Sequence, residues 1–146
     1  MKTNPEVLLV DDNPADIDLI RDVLVHSDPP LRIRVVCDGA EAIAFLKGEG
    51  QYANAVAPDF VILDLSLPKK DGRAVLASVK ADRTLRKIPI VIFSTSEAVQ
   101  DILACYELGA NCYLSKPGNL PDFTAAVTSM QEFWFGSARL PSEEEA

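Results

Sequence analysis

Five short runs rich in Val, Ile and Leu alternate with five amphipathic stretches, and no other pattern restricts the fold of this chain as tightly. The runs are EVLLV (6–10), LRIRVV (31–36), DFVILD (59–64), IPIVIFS (88–94) and NCYLS (111–115). The third and fourth are almost wholly apolar, as strands covered on both faces must be. LRIRVV alternates at first, which suits a less-covered edge strand. Between the runs, apolar residues recur at helical spacing. Residues 14–27 carry Ile17, Ile20 and Leu24 beside Leu19 and Val23, with Asn13 as the expected cap and Pro14 in the first turn. Residues 39–48 offer Ala40, Ile43, Ala44 and Phe45; residues 72–82 offer Val75, Leu76 and Val79. Residues 97–108 offer Val99, Ile102, Leu103 and Tyr106 before Gly109, a stop signal, and residues 120–135 offer Phe123, Val127, Met130 and Trp134. Repeated β-α units require a parallel sheet with right-handed crossovers and helices on both faces. Five strands in one α/β domain fit the flavodoxin-like order 2-1-3-4-5.

A chain of 146 residues is long enough for one such domain with its own core. The expected division is a domain over 1–135 and a loose acidic tail over 136–146, with an unusually long connection at 47–58. No apolar run approaches the length of a membrane span, and the N-terminus lacks the form of a signal peptide. The formal net charge of −8 opposes binding to a phosphate backbone. The small basic cluster RTLRK (83–87) reads as a solvated loop, though a local basic patch is the other reading. Cys37, Cys105 and Cys112 show no metal-binding or disulfide spacing, which points to a reducing, cytoplasmic setting. His26 reads as a surface residue at a helix end, with a phospho-relay or metal role as the alternative.

Ligands of an open parallel sheet bind beyond the carboxyl ends of its strands. Strand one ends in Asp11-Asp12, strand three in Asp64, strand four in Ser94-Thr95 and strand five in Ser115-Lys116-Pro117. Three carboxylates gathered on one edge repel one another unless a cation intervenes, and Mg²⁺ suits such oxygen ligands. A cation, a lysine and a hydroxyl around one carboxylate can stabilise a transferring phosphoryl group. Asp64 would then be the nucleophile, forming an acyl phosphate.

The set Asp11-Asp12, Asp64, Ser94 and Lys116-Pro117, with LPKKDG after Asp64 and Tyr113 three residues before Lys116, resembles the receiver domain of bacterial two-component response regulators. The likeness covers roughly residues 5–135. It implies that Asp64 is the phosphoacceptor, that Asp12 binds Mg²⁺ directly and Asp11 through water, and that Ser66 gives the metal its backbone carbonyl. It implies that Ser94 bonds the phosphoryl group and couples it to a switch, that Lys116 pairs with the phosphoryl group, and that Tyr113 is the aromatic switch, a packed aromatic without switching being the other reading. The Lys116–Pro117 bond would be a cis turn. Thr95 departs from the family pattern, which favours a small residue there, and its branched side chain could narrow the approach to Asp64. The partner implied is a sensor histidine kinase. Several stretches resemble the stand-alone receivers paired with phytochrome kinases, so the expected output is protein contact, with no nucleic acid and no membrane.

Phe133, Trp134 and Phe135 point in different directions at helical spacing, so a single sheet face cannot bury all three. A homodimer through this region is expected, a hydrophobic plug at the domain's end being the alternative. Two rival functions stay open. A receiver-shaped adaptor would bind partners without being phosphorylated, and Thr95 keeps that reading open. An aspartate-nucleophile phosphatase would want a second acid where Ser66 stands, and a cap for which this chain has no room.

Overall fold

A computed structural model describes residues 4–141. The strands are β1 (Glu6–Val10), β2 (Arg32–Val36), β3 (Phe60–Leu63), β4 (Ile90–Ser94) and β5 (Cys112–Ser115). They form one parallel sheet in the order β2-β1-β3-β4-β5, as expected from the sequence. The helices are α1 (Pro14–Leu24), α2 (Gly39–Lys47), α3 (Gly72–Ala81), α4 (Val99–Glu107) and α5 (Leu120–Gln131). Every residue of β3 and β4 is buried, which is why their sequences are nearly unbroken in apolar residues. β2 and β5 lie at the edges, and β2 alternates between exposed and half-buried positions before Val36.

The two faces of the sheet carry separate cores. Leu8, Val10, Val61, Leu63, Ile90 and Ile92 face Phe45, Leu46, Leu76 and Val79 of α2 and α3. Val7, Leu9, Phe60, Ile62, Val91 and Phe93 face Ile20, Leu24, Phe123, Val127 and Met130 of α1 and α5. The long connection after α2 contains a 3₁₀ turn (Gly50–Tyr52) whose Tyr52 ring is buried edge-on against Phe45, with ring centres 5.1 Å apart. The basic cluster at 83–87 is a surface turn. Lys80 ties it down by donating to the carbonyls of Arg86 and Ile88 and to Asn111 Oδ1. His26 is exposed just beyond α1.

Two helix faces differ from the expectation. In α4, Val99 (67% exposed), Leu103 and Tyr106 point to solvent, and Cys105 is the buried residue. The sequence holds two overlapping apolar stripes, Val99–Leu103–Tyr106 and Ile102–Cys105–Leu108, and the helix seats the second. In α2 the buried set is Gly39, Ala42, Phe45 and Leu46, so the inner face is turned relative to the expected one.

The aromatic trio divides, and as expected the sheet face does not bury all three. After α5 the backbone widens into a π turn (Glu132–Ser137), and both Trp134 and Phe135 then reach Phe60, each with ring centres 5.1 Å from it. At 3.6 residues per turn Trp134 and Phe135 would diverge more widely, and the π turn narrows the angle between them. Only Phe133 remains exposed, at 56%. Leu140 packs on the same core, so the folded chain runs past the expected boundary at 135. The acidic run Glu143–Glu145 of the expected tail lies outside the described residues. Among the described residues no helix is long and apolar enough to cross a membrane.

Candidate functional site

The parallel hydrogen-bond ladder continues one residue past the strands and thereby places the site. Asp11 N–H donates to Val36 O, Asp64 N–H to Val10 O, and Lys116 N–H to Ser94 O at 2.7 Å. Each residue is thus fixed by backbone before its side chain contributes anything. Behind Asp64, Gly72 packs so closely that a Cβ there would lie 2.2 Å from the Asp64 carbonyl oxygen. Asp71 caps α3 by accepting from Ala74 N–H, which sets the return of the chain after LPKKDG.

Side-chain oxygens of Asp11, Asp12 and Asp64 all lie within 4.8 Å of one another. Asp11 and Asp64 are buried and Asp12 is exposed, so the cluster opens to solvent on one side. Hard carboxylate oxygens at this spacing can hold a divalent cation. Among the described residues this is the one group of three or more potential metal ligands, and His26 belongs to none.

Lys116 reaches into the cluster with its side chain 2% exposed. Its ammonium donates to Asp11 Oδ2 at 2.8 Å, Asp16 Oδ2 at 2.8 Å and Asp64 Oδ2 at 2.9 Å, above the Phe93 ring. Burial pulls the lysine pKa down, but bonds to Asp11, Asp16 and Asp64 outweigh it, so the group stays charged well above the ordinary lysine range. For Asp11 the balance falls the other way. Burial pushes its carboxyl above the ordinary range, and the bonds from Lys116 and Asn13 N–H only partly oppose this. A cluster of this kind favours an incoming cation, which would relieve the buried negative charge.

Residues 7–128 match the family described as response regulator receiver domain. The chain belongs to the response regulator receiver family. Response regulator Rcp1 of Synechocystis is 42% identical over 143 residues, covering 97% of each chain. The crystal structure of the phosphorylated cyanobacterial phytochrome response regulator RcpA superposes with a TM-score of 0.93 at 49% identity, over 95% of this chain and 99% of that one. The Mn²⁺-bound form of Rcp1 also gives 0.93, at 42% identity over 94% of this chain and 99% of that one.

Within this receiver the expected site residues fall into two groups. Asp11, Asp12, Asp64 and Lys116 converge. The Ser66 N–H points to Asp64 Oδ1 at 3.4 Å, a weak contact, and the residue itself is exposed. Ser94 is buried next to the cluster, but its hydroxyl accepts from Ser96 N–H at 3.3 Å. Tyr113 lies beyond it and donates its hydroxyl to Ser96 O at 2.8 Å. Thr95 is exposed at the rim. The Lys116–Pro117 peptide is not cis; among the described residues the one cis bond is Asp28–Pro29. The chain turns instead through the bend at Gly118 and Asn119, and a trans X–Pro bond is the intrinsically favoured form. Phe133, Trp134 and Phe135 lie beyond the end of α5, outside the cluster.

Sequence reasoning missed Asp16. An acid in the first turn of a helix reads as a complement to the helix dipole, and nothing local signals more. The available clue was helical geometry: Asn13 caps α1 by accepting from Ala15 N–H and Asp16 N–H, which fixes Asp16 close above the strand ends.

Proposed function

We propose that the protein accepts a phosphoryl group on Asp64 from a sensor histidine kinase and signals through protein contacts. The single observation that carries this reading is the Lys116 ammonium, buried and bonded to Asp64 and Asp11 within one acidic cluster. A carboxylate oxygen of Asp64 attacks the phosphorus of a phosphohistidine. The P–N bond breaks, the imidazole leaves and takes up a proton, and a mixed anhydride forms. Asp11, Asp12 and Asp64, with the Ser66 carbonyl, would hold Mg²⁺, which when bound neutralises charge on the transferring oxygens. Lys116, already bonded to Asp64, would pair its charge with the same oxygens by exchanging one of its present bonds. Ser94 answers the arriving group by rotating its hydroxyl toward it, and Tyr113 follows.

The likeness to RcpA and Rcp1 supports a phytochrome kinase as the partner and the cytoplasm as the setting. The acidic charge argues against nucleic acid as the output. Phe133, exposed beyond α5, supports a homodimer through this region. The protein acts as a stoichiometric acceptor. A phosphatase reading is disfavoured by Ser66, which stands where a second acid would be needed.

Incubation with Mg²⁺ and acetyl phosphate should add one phosphoryl group per chain by intact-mass spectrometry, and Asp64→Asn should add none. Equal labelling of Asp64→Asn would refute the assignment, and no labelling of the wild type by donor or kinase would favour the adaptor reading.

A further inference from the structure

We infer that Asp16 is a positioning residue that competes with the phosphoryl group for Lys116, and so weakens phosphoryl binding at Asp64. This rests on the phosphoacceptor reading above. An ammonium has three N–H donors, and Asp11, Asp16 and Asp64 occupy all three at 2.8–2.9 Å. Lys116 therefore has no donor free for an incoming group. One of its three bonds has to be exchanged when a phosphoryl oxygen arrives.

The three partners are not equivalent. Asp11 and Asp64 belong to the metal-binding cluster, and Asp16 lies outside it. The carboxylates of Asp11 and Asp64 have a cation to turn to, whereas Asp16 has none in that group. Its side chain is 20% exposed, against 2% for Asp11, so Asp16 is the partner with room to swing outward. Its backbone is held by the Asn13 cap, so the carboxylate returns to the same place whenever the site empties. A carboxylate and a phosphoryl group claiming the same ammonium also repel each other at such close range. Asp16 thus favours the state without phosphoryl group and opposes the state that carries it.

The test uses the whole chain and beryllofluoride, a phosphoryl mimic, titrated calorimetrically in saturating Mg²⁺. Mg²⁺ alone is titrated separately. Asp16→Asn keeps the shape and removes the charge. Its beryllofluoride affinity should rise about tenfold, the ratio expected when one charge-assisted hydrogen bond is released to the anion. Its Mg²⁺ affinity should stay the same or fall, since a negative charge has been lost. A merely structural role would weaken both together. Asp16→Glu keeps the charge and should keep the wild-type beryllofluoride affinity. Unchanged or weaker beryllofluoride binding in Asp16→Asn would overturn the inference, and so would equal tightening in Asp16→Glu. If the folded wild type binds Mg²⁺ but no beryllofluoride, the phosphoacceptor reading fails instead.

Discussion

Replacing Lys116 with Met tests the electrostatics of the site apart from its chemistry. Met fills similar volume, so the main loss is the charge shared by Asp11, Asp16 and Asp64. Three charge-assisted hydrogen bonds at about 1.5–3 kcal/mol each would sum to more than 4 kcal/mol. That sum is too large, because Asp12 leaves the cluster open to water and the freed carboxylates can take up protons. Removing one partner of a buried ion pair costs about 3–5 kcal/mol, and the lower end applies here. About 3 kcal/mol corresponds to a melting temperature lower by roughly 10 °C for a domain of this size. The loss has a pH signature. Asp11 already titrates above the ordinary carboxylate range because it is buried, and removing its lysine partner pushes it further up. An acid whose folded pKa is raised holds its proton more tightly in the folded state. It supports folding at low pH and ceases to do so as pH rises through the folded value. Lys116 itself, with its pKa raised, contributes fully throughout the neutral range. The gap between wild type and Lys116→Met should therefore be widest near about pH 8 and narrow toward about pH 5. Added Mg²⁺ should narrow it as well. Urea titrations at the two pH values, without metal, measure this directly. A variant as stable as the wild type at both would refute the claim that Lys116 compensates buried charge.

Gly72→Ala should lower stability by about 1–3 kcal/mol and slow labelling of Asp64 by acetyl phosphate, because the new Cβ meets the Asp64 carbonyl and the Leu65 Cα, neither a flexible side-chain end. Chemical denaturation and mass spectrometry would show the two losses together, and normal labelling in a folded variant would contradict this account of the loop. Trp134→Ala should cost about 2 kcal/mol, less than a fully buried Trp, since the ring packs on Phe60 but stays partly exposed. Phe133→Ala should leave stability nearly unchanged and weaken self-association in sedimentation experiments; a stability loss equal to that of Trp134→Ala would show that Phe133 belongs to the core.

The sheet was legible because burial on both faces leaves an unmistakable trace: FVIL and IVIFS have no polar residue before the strand end. The site was legible for the same reason, since a parallel sheet gathers the residues after each strand on one edge. Asp11, Asp64 and Lys116 could be brought together from the order of the strands alone. The failures came where local pattern permits more than one outcome. In α4 two apolar stripes were available, and only packing against β5 selects Cys105 over Leu103. That Trp134 and Phe135 both reach Phe60 depended on a change of helical pitch that no residue type announces, while the exposure of one of the three aromatics was legible. Asp16 escaped because its partner lies 100 residues away in the chain, at the far side of the site. A contact of that kind exists only after the whole sheet has formed.

The link from this site to the protein's surface also follows from hydrogen bonds that cross between elements. Ser96 follows β4 by two residues and carries four of them. Its N–H donates to Ser94 Oγ, its carbonyl accepts from the Tyr113 hydroxyl, and its own hydroxyl donates to Asp101 Oδ2 while accepting from Ala98 N–H. Asp101 is also paired with Arg73 of α3, and the Tyr106 hydroxyl of α4 accepts from Tyr113 N–H. If the Ser94 hydroxyl turns toward a group on Asp64, the long 3.3 Å bond that it accepts from Ser96 N–H is the one it gives up. The loop before α4 then loses its tie to β4 and retains its ties to Asp101 and Tyr113. On the proposed role of Ser94, a change there would reach α4 by this route, and Val99, Leu103 and Tyr106 are the exposed apolar residues of that helix. The stripe that looked like core in the sequence is the surface that such a change would move.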